Sequence, residues 1–408
     1  MSIAKIQLFS VLLQNKNETM LLKNVMVEEP LKNRLVRLVQ ENRISHALLF
    51  LASEGASSFA LAIAFAQYLS CSNRGEHDSC GTCPSCVKYE KLSHPDLHLL
   101  FPNSTTTKIK KDPDSEQFYE DFRKFVLEKK FHISLADWME ILGGENKQPS
   151  INLRDTSNII NWNSTRSYEG GHKIYILWHA DRLYHAAAPR LLKTLEEPEN
   201  KSLFILITER ADKILPTILS RTQLVKIGKP DPSLIAHKLM EDFGIKEQKA
   251  FDLATICDGN IQVAIDELTN EETGGALLTH FQPFWHSLCA SALKKAPAEI
   301  GFTKASATID EIVSAGREYH KKFVLYMLRM IRLMLMESPL RQPLMRASNK
   351  EKEFIVQHQG VLTVSKSTHV IEACNAALYH IERNGNTNLI LHDLYFKIAD
   401  ALSGNKAK

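Results

Sequence analysis

The 408-residue sequence has no run of about 18 apolar residues, the length a membrane-spanning helix needs, which argues against a helical membrane span. Glycine (17) and proline (15) are sparse, which excludes collagen-like and linker-rich chains. Neither sign of charge dominates. The 50 Lys+Arg against 47 Asp+Glu exclude nucleic-acid binding through global charge alone, and the composition is not that of a disordered chain. The first residues carry Lys5 and an apolar stretch broken by Gln7, with no small-residue cleavage site, so no secretory signal is expected and the cytoplasm is the expected location. Cysteine is scarce as well. Seven is an odd count, which does not suit a secreted disulfide framework.

What is present is apolar residue in quantity. At 44% hydrophobic, the chain has material for a large core and for two or three domains. Leu31, Leu35, Leu38 and Val39 recur at helical spacing. The run at 46–51 (HALLFL) predicts a buried strand, 53–58 a small-residue loop and 59–69 a helix, together the first βα unit of a parallel sheet. Residues 103–150 are less regular. Helix faces are predicted around Phe118, Phe122, Phe125 and Val126, and around Leu135, Trp138, Met139 and Leu142, with Ser134 as N-cap of the second. From Lys173 the pattern returns to strand at 173–178, helix at 187–197, strand at 202–208, a short helix at 214–220 and strand at 223–227. Alternation of this kind implies a parallel sheet covered on both faces. Pro230 and Pro232 mark a linker, three short helices follow to 270, and the remainder is helical. Residues 322–336 are apolar almost all round, but Arg329 and Arg332 exclude a membrane span there.

Four of the cysteines crowd into 16 residues with the spacing Cys71-x8-Cys80-x2-Cys83-x2-Cys86. Two-residue gaps let one turn aim two thiolates at a single ion, and Gly81 and Pro84 supply turn chemistry. Four thiolates leave no open coordination position, so a structural Zn²⁺ is expected. Unliganded thiols, His77 in place of one cysteine, and an iron–sulfur cluster are the other readings. Cys257, Cys289 and Cys374, scattered on helical stretches, are expected to be buried small hydrophobes.

The loop of the first βα unit is where a phosphate-binding loop, G-x-x-x-x-G-K-[ST], would lie. The eight residues there are Ala52 to Phe59. Ala52 and Ser57 stand at the two glycine positions, Ser58 at the lysine and Phe59 at the hydroxyl that would hold Mg²⁺. Gly55 is the one glycine, and Glu54 adds a negative charge. Taken alone, the loop equally suits a chain that never bound phosphate. The strand at 173–178 runs into Trp178-His179, where a nucleotide-hydrolysing domain carries Asp and Glu. A strand-end His without an acidic neighbour is read as a polar tip, not a base.

Several blocks together carry a resemblance: Arg43-Ile44-Ser45-His46-Ala47, the cysteine insert, His94-Pro95-Asp96-Leu97-His98, Tyr168-Glu169-Gly170-Gly171-His172-Lys173, Leu191-Leu192-Lys193-Thr194-Leu195-Glu196-Glu197-Pro198 and Leu215-Pro216-Thr217-Ile218-Leu219-Ser220-Arg221. Over roughly residues 24–228 the chain resembles the delta-prime subunits of bacterial DNA polymerase III clamp loaders, in the AAA+ class. The resemblance implies an α/β AAA+ domain, a P-loop NTPase-like parallel sheet with a degenerate nucleotide site, followed by a helical lid and a helical collar. The implied divisions are an extension or early start at 1–19, the α/β domain at 20–228 with a zinc module at 71–86 and an insertion at 103–150, the lid at 229–272 and the collar at 273–408. The insertion is expected to be a surface addition, and Met20 the natural beginning of the fold.

The resemblance further implies a subunit that does not bind ATP and has no ATPase of its own, within the DNA-directed DNA polymerase holoenzyme. Arg221 would act in trans on ATP held by a neighbour, Thr222 standing where cysteine is usual. Thr208 takes the sensor position, and Gln262 replaces a phosphate-sensing arginine. Implied partners are the other clamp-loader subunits (gamma/tau-type ATPases and a delta-type subunit), with the sliding clamp and primer-template DNA reached through the complex and no membrane. Arg341 and Arg346 are read as a solvated face. Two alternatives are an active P-loop ATPase, against which Ser58 argues, and a zinc-dependent DNA-binding protein, against which the balanced charge argues.

Overall fold

A computed structural model describes residues 20–403, apart from residues 54, 144–147, 200, 258, 262, 266–267, 269–275, 293–297, 337–346, 348, 359 and 384. The extension at 1–19, Glu54, Gln262, Arg341 and Arg346 therefore lie outside the described residues. The chain divides into two compact units, Met1–Ala264 and Ile265–Lys408.

The first unit opens with helix α1 (Glu29–Gln40), strand β1 (Ala47–Ala52) and helix α2 (Ser58–Ser70). After the cysteine loop come α3 (Pro84–Glu90), β2 (Leu97–Leu100), α4 (Tyr119–Glu128), α5 (Leu135–Ile141) and α6 (Leu153–Asn163). Then follow β3 (Lys173–Leu177), α7 (Ala188–Glu196), β4 (Ser202–Thr208), the short α8 (Pro216–Leu219) and β5 (Gln223–Ile227). Two further helices, α9 (Pro232–Phe243) and α10 (Glu247–Ile256), follow. The five strands form one sheet in the order β2-β3-β4-β1-β5, and every pairing is parallel. This is the parallel α/β sheet that the alternating strands and helices of the sequence imply.

A parallel sheet with helices on both faces needs strands that are apolar on both sides, and β3 and β4 are buried at every position. Successive side chains serve opposite cores. Leu48 and Phe50 join the face with α1 and α2, while Ala47 and Leu49 join the face with α7. Helix α2 is buried from Ser58 to Leu69, which explains why its sequence shows no polar stripe.

The insertion is not a surface addition. Phe118, Phe122, Phe125, Val126 and Trp138 are buried and belong to the same core as α2. Phe101 stacks on Phe122 at 3.8 Å, and Trp138 meets Phe122 edge-on at 5.1 Å. A buried polar knot closes the base of the insertion. Asp155, 1% exposed, accepts from the backbone of Ser115 (2.7 Å) and Asn152 (2.9 Å) and from the Asn103 amide (3.0 Å).

The second unit is helical: α11 (Ala276–Ala292), α12 (Ala298–Ser314), α13 (Arg317–Met336), α14 (Asn349–Gln357), α15 (Val364–Glu382) and α16 (Thr387–Ser403). Its core includes Phe281, Trp285, Phe323, Met327, Met330 and Ile331. The apolar stretch at 322–336 thus forms the interior of this unit, with Leu325 left 53% exposed. Arg329 on the same helix reaches the buried Glu351, its Nη1 donating to Oε1 at 2.7 Å. No described helix is long and apolar enough to cross a membrane.

Candidate functional site

The four cysteines converge. Their sulfurs all lie within 4.8 Å of one another, the only such metal-capable group among the described residues. Cys71 Sγ is 3.5 Å from Cys80 and 3.9 Å from Cys83, and Cys80 Sγ is 3.9 Å from Cys86. A tetrahedron with sulfurs about 2.3 Å from a central ion has edges of about 3.8 Å. The backbone N–H groups of Cys80, Cys83 and Cys86 donate to the sulfurs of Cys71, Cys80 and Cys83 respectively, at 3.4, 3.3 and 3.5 Å. Such bonds favour thiolate. Burial works to raise Cys83, but the Cys86 N–H and the hydrogen bonds from Ser72 outweigh it and bring the thiol down to about 6. Cys86 is pushed well up, first by burial and then by its sulfur neighbours. His77 is largely exposed and stands outside the cluster. Of the isolated cysteines, Cys257 and Cys374 are buried and Cys289 is half-buried.

The cysteine loop is also tied to its surroundings. Asp78 Oδ1 accepts from the backbone of Leu22 (3.0 Å) and Oδ2 from that of Lys23 (2.9 Å), so the loop holds the start of the described chain. Beyond it, Tyr89 on α3 packs on His94 at 4.5 Å. Two of the sequence blocks meet here. Asp96 accepts from the backbone of Tyr168 (2.7 Å) and Glu169 (2.9 Å), while the Glu169 carboxylate takes His94 at 3.0 Å and Lys88.

The loop at 52–59 has no cationic side chain. Ala52 ends β1, and Ser57 and Ser58 are buried where α2 begins. Ser57 Oγ has no hydrogen-bond partner among the described residues. Gly55 has a φ of +76°, and a Cβ built on it would fall 2.0 Å from Cγ of Asn260. Phe59 meets the Trp178 ring edge-on at 6.2 Å and the Phe122 ring at 6.0 Å, and Phe122 and Trp178 are 5.5 Å apart. Phe59 and Trp178 therefore form an aromatic cluster with the insertion.

Asp181 corrects the expectation of a lone histidine after β3. His179, at φ +53°, places Nδ1 3.7 Å from Asp181 Oδ1. The same oxygen accepts from the Thr208 hydroxyl at 2.9 Å, so this hydroxyl spends its donor within the chain. Burial works to raise the Asp181 carboxyl, but His179 and Thr208 more than offset it and hold it below the usual range. The signal was in the sequence, an acid two positions beyond His179.

Arg221 follows α8 with its side chain 36% exposed. Nη1 donates to the Thr217 carbonyl at 2.9 Å and to Ser220 Oγ at 3.3 Å, which caps the short helix. Nη2 lies 2.6 Å from Oε1 of Glu196, the last residue of α7. Thr222 donates its hydroxyl to the Leu219 carbonyl at 3.2 Å.

These positions fall inside one family match. The model described as "DNA polymerase III, delta subunit" covers residues 27–231, just over half of the 408-residue chain. The chain belongs to the DNA polymerase III delta subunit family. The part assigned to the delta subunit family takes in the cysteine cluster, the loop at 52–59, Asp181 and Arg221. The chain is similar to the DNA polymerase III subunit delta' of Bacillus subtilis (strain 168), 28% identical over 238 residues, 58% of each chain. It is 25% identical over 239 residues to the subunit delta' of Haemophilus influenzae, 59% of this chain and 60% of that one. The matches thus span about three fifths of these delta' subunits. Among solved structures, a DNA polymerase III gamma subunit-related protein from Thermotoga maritima aligns over 91% of this chain and 99% of its own, with 14% identity and a TM-score of 0.41.

Proposed function

We propose that the chain is a non-catalytic subunit of a bacterial replicative clamp loader, within the DNA polymerase III holoenzyme of the cytoplasm. It does not use ATP itself. It supports loading of the sliding clamp onto primed DNA, beside gamma/tau-type ATPase subunits and a delta-type subunit. Family membership supports the assignment to the polymerase. The observation that carries the non-catalytic reading is the Phe59–Trp178–Phe122 cluster at the place where Mg²⁺ and its ligands would sit. An ATP tetra-anion needs cations and Mg²⁺ ligands there, and aromatic rings supply neither.

Arg221 acts outward, on ATP bound by an adjacent subunit. Its guanidinium is partly exposed, so it can meet charge developing on a γ-phosphate. The α-helical region at 229–272 serves as a lid and 273–408 as the collar that joins subunits. Cys71, Cys80, Cys83 and Cys86 hold a structural Zn²⁺, because four thiols at this spacing fit its tetrahedral preference and leave no position open for chemistry.

Rebuilding the complex with Arg221→Ala tests the reading. Arginine fingers are worth on the order of 10³ or more in rate where they dominate, and a ring in which one of several sites faces this subunit loses less. Assembly should survive while DNA-stimulated hydrolysis and clamp loading fall. Unchanged hydrolysis with a less stable chain would leave Arg221 only its capping role.

A further inference from the structure

Resting on the trans-acting reading of Arg221, we infer that Glu196 is the positioning residue for that arginine. The guanidinium is held at two points that come from separate elements. Nη1 is fixed at the end of α8 through the Thr217 carbonyl and Ser220 Oγ, and Nη2 is fixed by α7 through the Glu196 carboxylate. A planar fork gripped at both terminal nitrogens has its plane defined, whereas contacts at one nitrogen alone leave it free to pivot. Glu196 is itself well placed to serve. It ends α7, whose Leu191, Thr194 and Leu195 are buried against the sheet, so its backbone is rigid while its carboxylate is exposed. No other acid is paired with Arg221 among the described residues. The neighbouring Glu197 lies beyond the helix end.

An ion pair this exposed adds little to folding, so its consequence lies in orientation. A guanidinium delivered in a fixed plane meets a phosphoryl group without losing rotational freedom at that moment. Glu196 therefore acts on the rate and not on ATP affinity, because the nucleotide is held by the neighbour's own loop.

The test uses the rebuilt complex with DNA and clamp, comparing Arg221→Ala, Glu196→Ala, Glu196→Gln and the double change Glu196→Ala/Arg221→Ala. Glu196→Ala should lower kcat for DNA-stimulated hydrolysis by about two- to five-fold, the rate equivalent of an exposed ion pair, with KM for ATP unchanged. Glu196→Gln, which keeps an acceptor oxygen, should fall between it and the parent. The double variant should match Arg221→Ala alone, since Glu196 has no route to the reaction except through the arginine. If Arg221→Ala lowers the rate and Glu196→Ala does not, positioning is refuted and the trans-acting role stands. A double variant slower than Arg221→Ala would show that Glu196 acts on its own and also refute it. If Arg221→Ala changes nothing, the trans-acting role falls and the positioning role with it.

Discussion

The ring of Phe59 meets the ring of Trp178 edge-on, centroids 6.2 Å apart, and both lean on Phe122 from the insertion. Phe59 and Trp178 each depart from a nucleotide-binding pattern in the sequence, and with Phe122 they make one packed object. That changes what restoring the missing groups would do. A Ser58→Lys/Phe59→Thr chain regains two residues of a phosphate loop but keeps Trp178 and Phe122. It should show no saturable binding of a fluorescent ATP analogue in the micromolar range, like the parent chain. It should also lose about 3 kcal/mol or more of stability, because a buried aromatic is removed and a cation placed beside the gap. Saturable binding by the parent would sink the non-catalytic reading, and a variant as stable as the parent would show that the cluster does not pack as described.

Gly55 offers a second, independent probe of the same loop. Its φ of +76° is a conformation that side-chain-bearing residues rarely take, and any Cβ there collides with Asn260. Gly55→Ala should cost about 1–3 kcal/mol through the combined strain and clash. Thermal unfolding of the isolated chain checks this, and an unchanged midpoint would show that Asn260 does not pack on the loop.

What the sequence made legible follows from what each signal measures. Strands β1, β3 and β4 are near-continuous apolar runs, as strands buried on both faces demand, while β5, at one edge of the sheet, was readable from Leu224, Val225 and Ile227. Strand β2 escaped because it has four residues, an edge position and His98 in its middle. Helix α6 escaped because its buried side is narrow, Asp155, Thr156 and Ile159, and two of those are polar. The helices of the insertion were readable from periodicity, but periodicity says which face is apolar and not what covers it, so its place in the core was misjudged. The cysteine cluster was readable because its ligands are close in sequence. The Glu196–Arg221 pair was not, since nothing in either block points to the other.

The metal site should behave as a clasp as well as a ligand set. Protein purified without a histidine tag should carry about one zinc per chain, and Cys86→Ala should lose it. Asp78 bridges the loop to Leu22 and Lys23, so either metal removal or Asp78→Ala should speed amide exchange at those two residues. Metal content well below one per chain, with unchanged exchange after chelation, would argue for free thiols.

The last prediction concerns acid. His98 lies stacked between Trp162 at 4.4 Å and Tyr175 at 5.1 Å, and burial, helped by Lys173, pushes it down to about 4. Burial likewise lowers His94, against the pull of Glu169, and His172. In the unfolded chain these imidazoles take up protons as pH falls through about 6.5, while folded His98 stays neutral until about 4. Their contribution is therefore complete above about 6.5 and is lost as pH drops from there toward 4, with His98 accounting for roughly 3 kcal/mol. His98→Phe keeps an aromatic ring in the stack and removes the proton site. Its melting temperature should lie close to that of the parent at pH 7.5 and above it at pH 5, the difference between the two chains cancelling any acid-driven loss of metal they share. Melting curves that fall in parallel over this range would show that His98 is not held neutral by the stack.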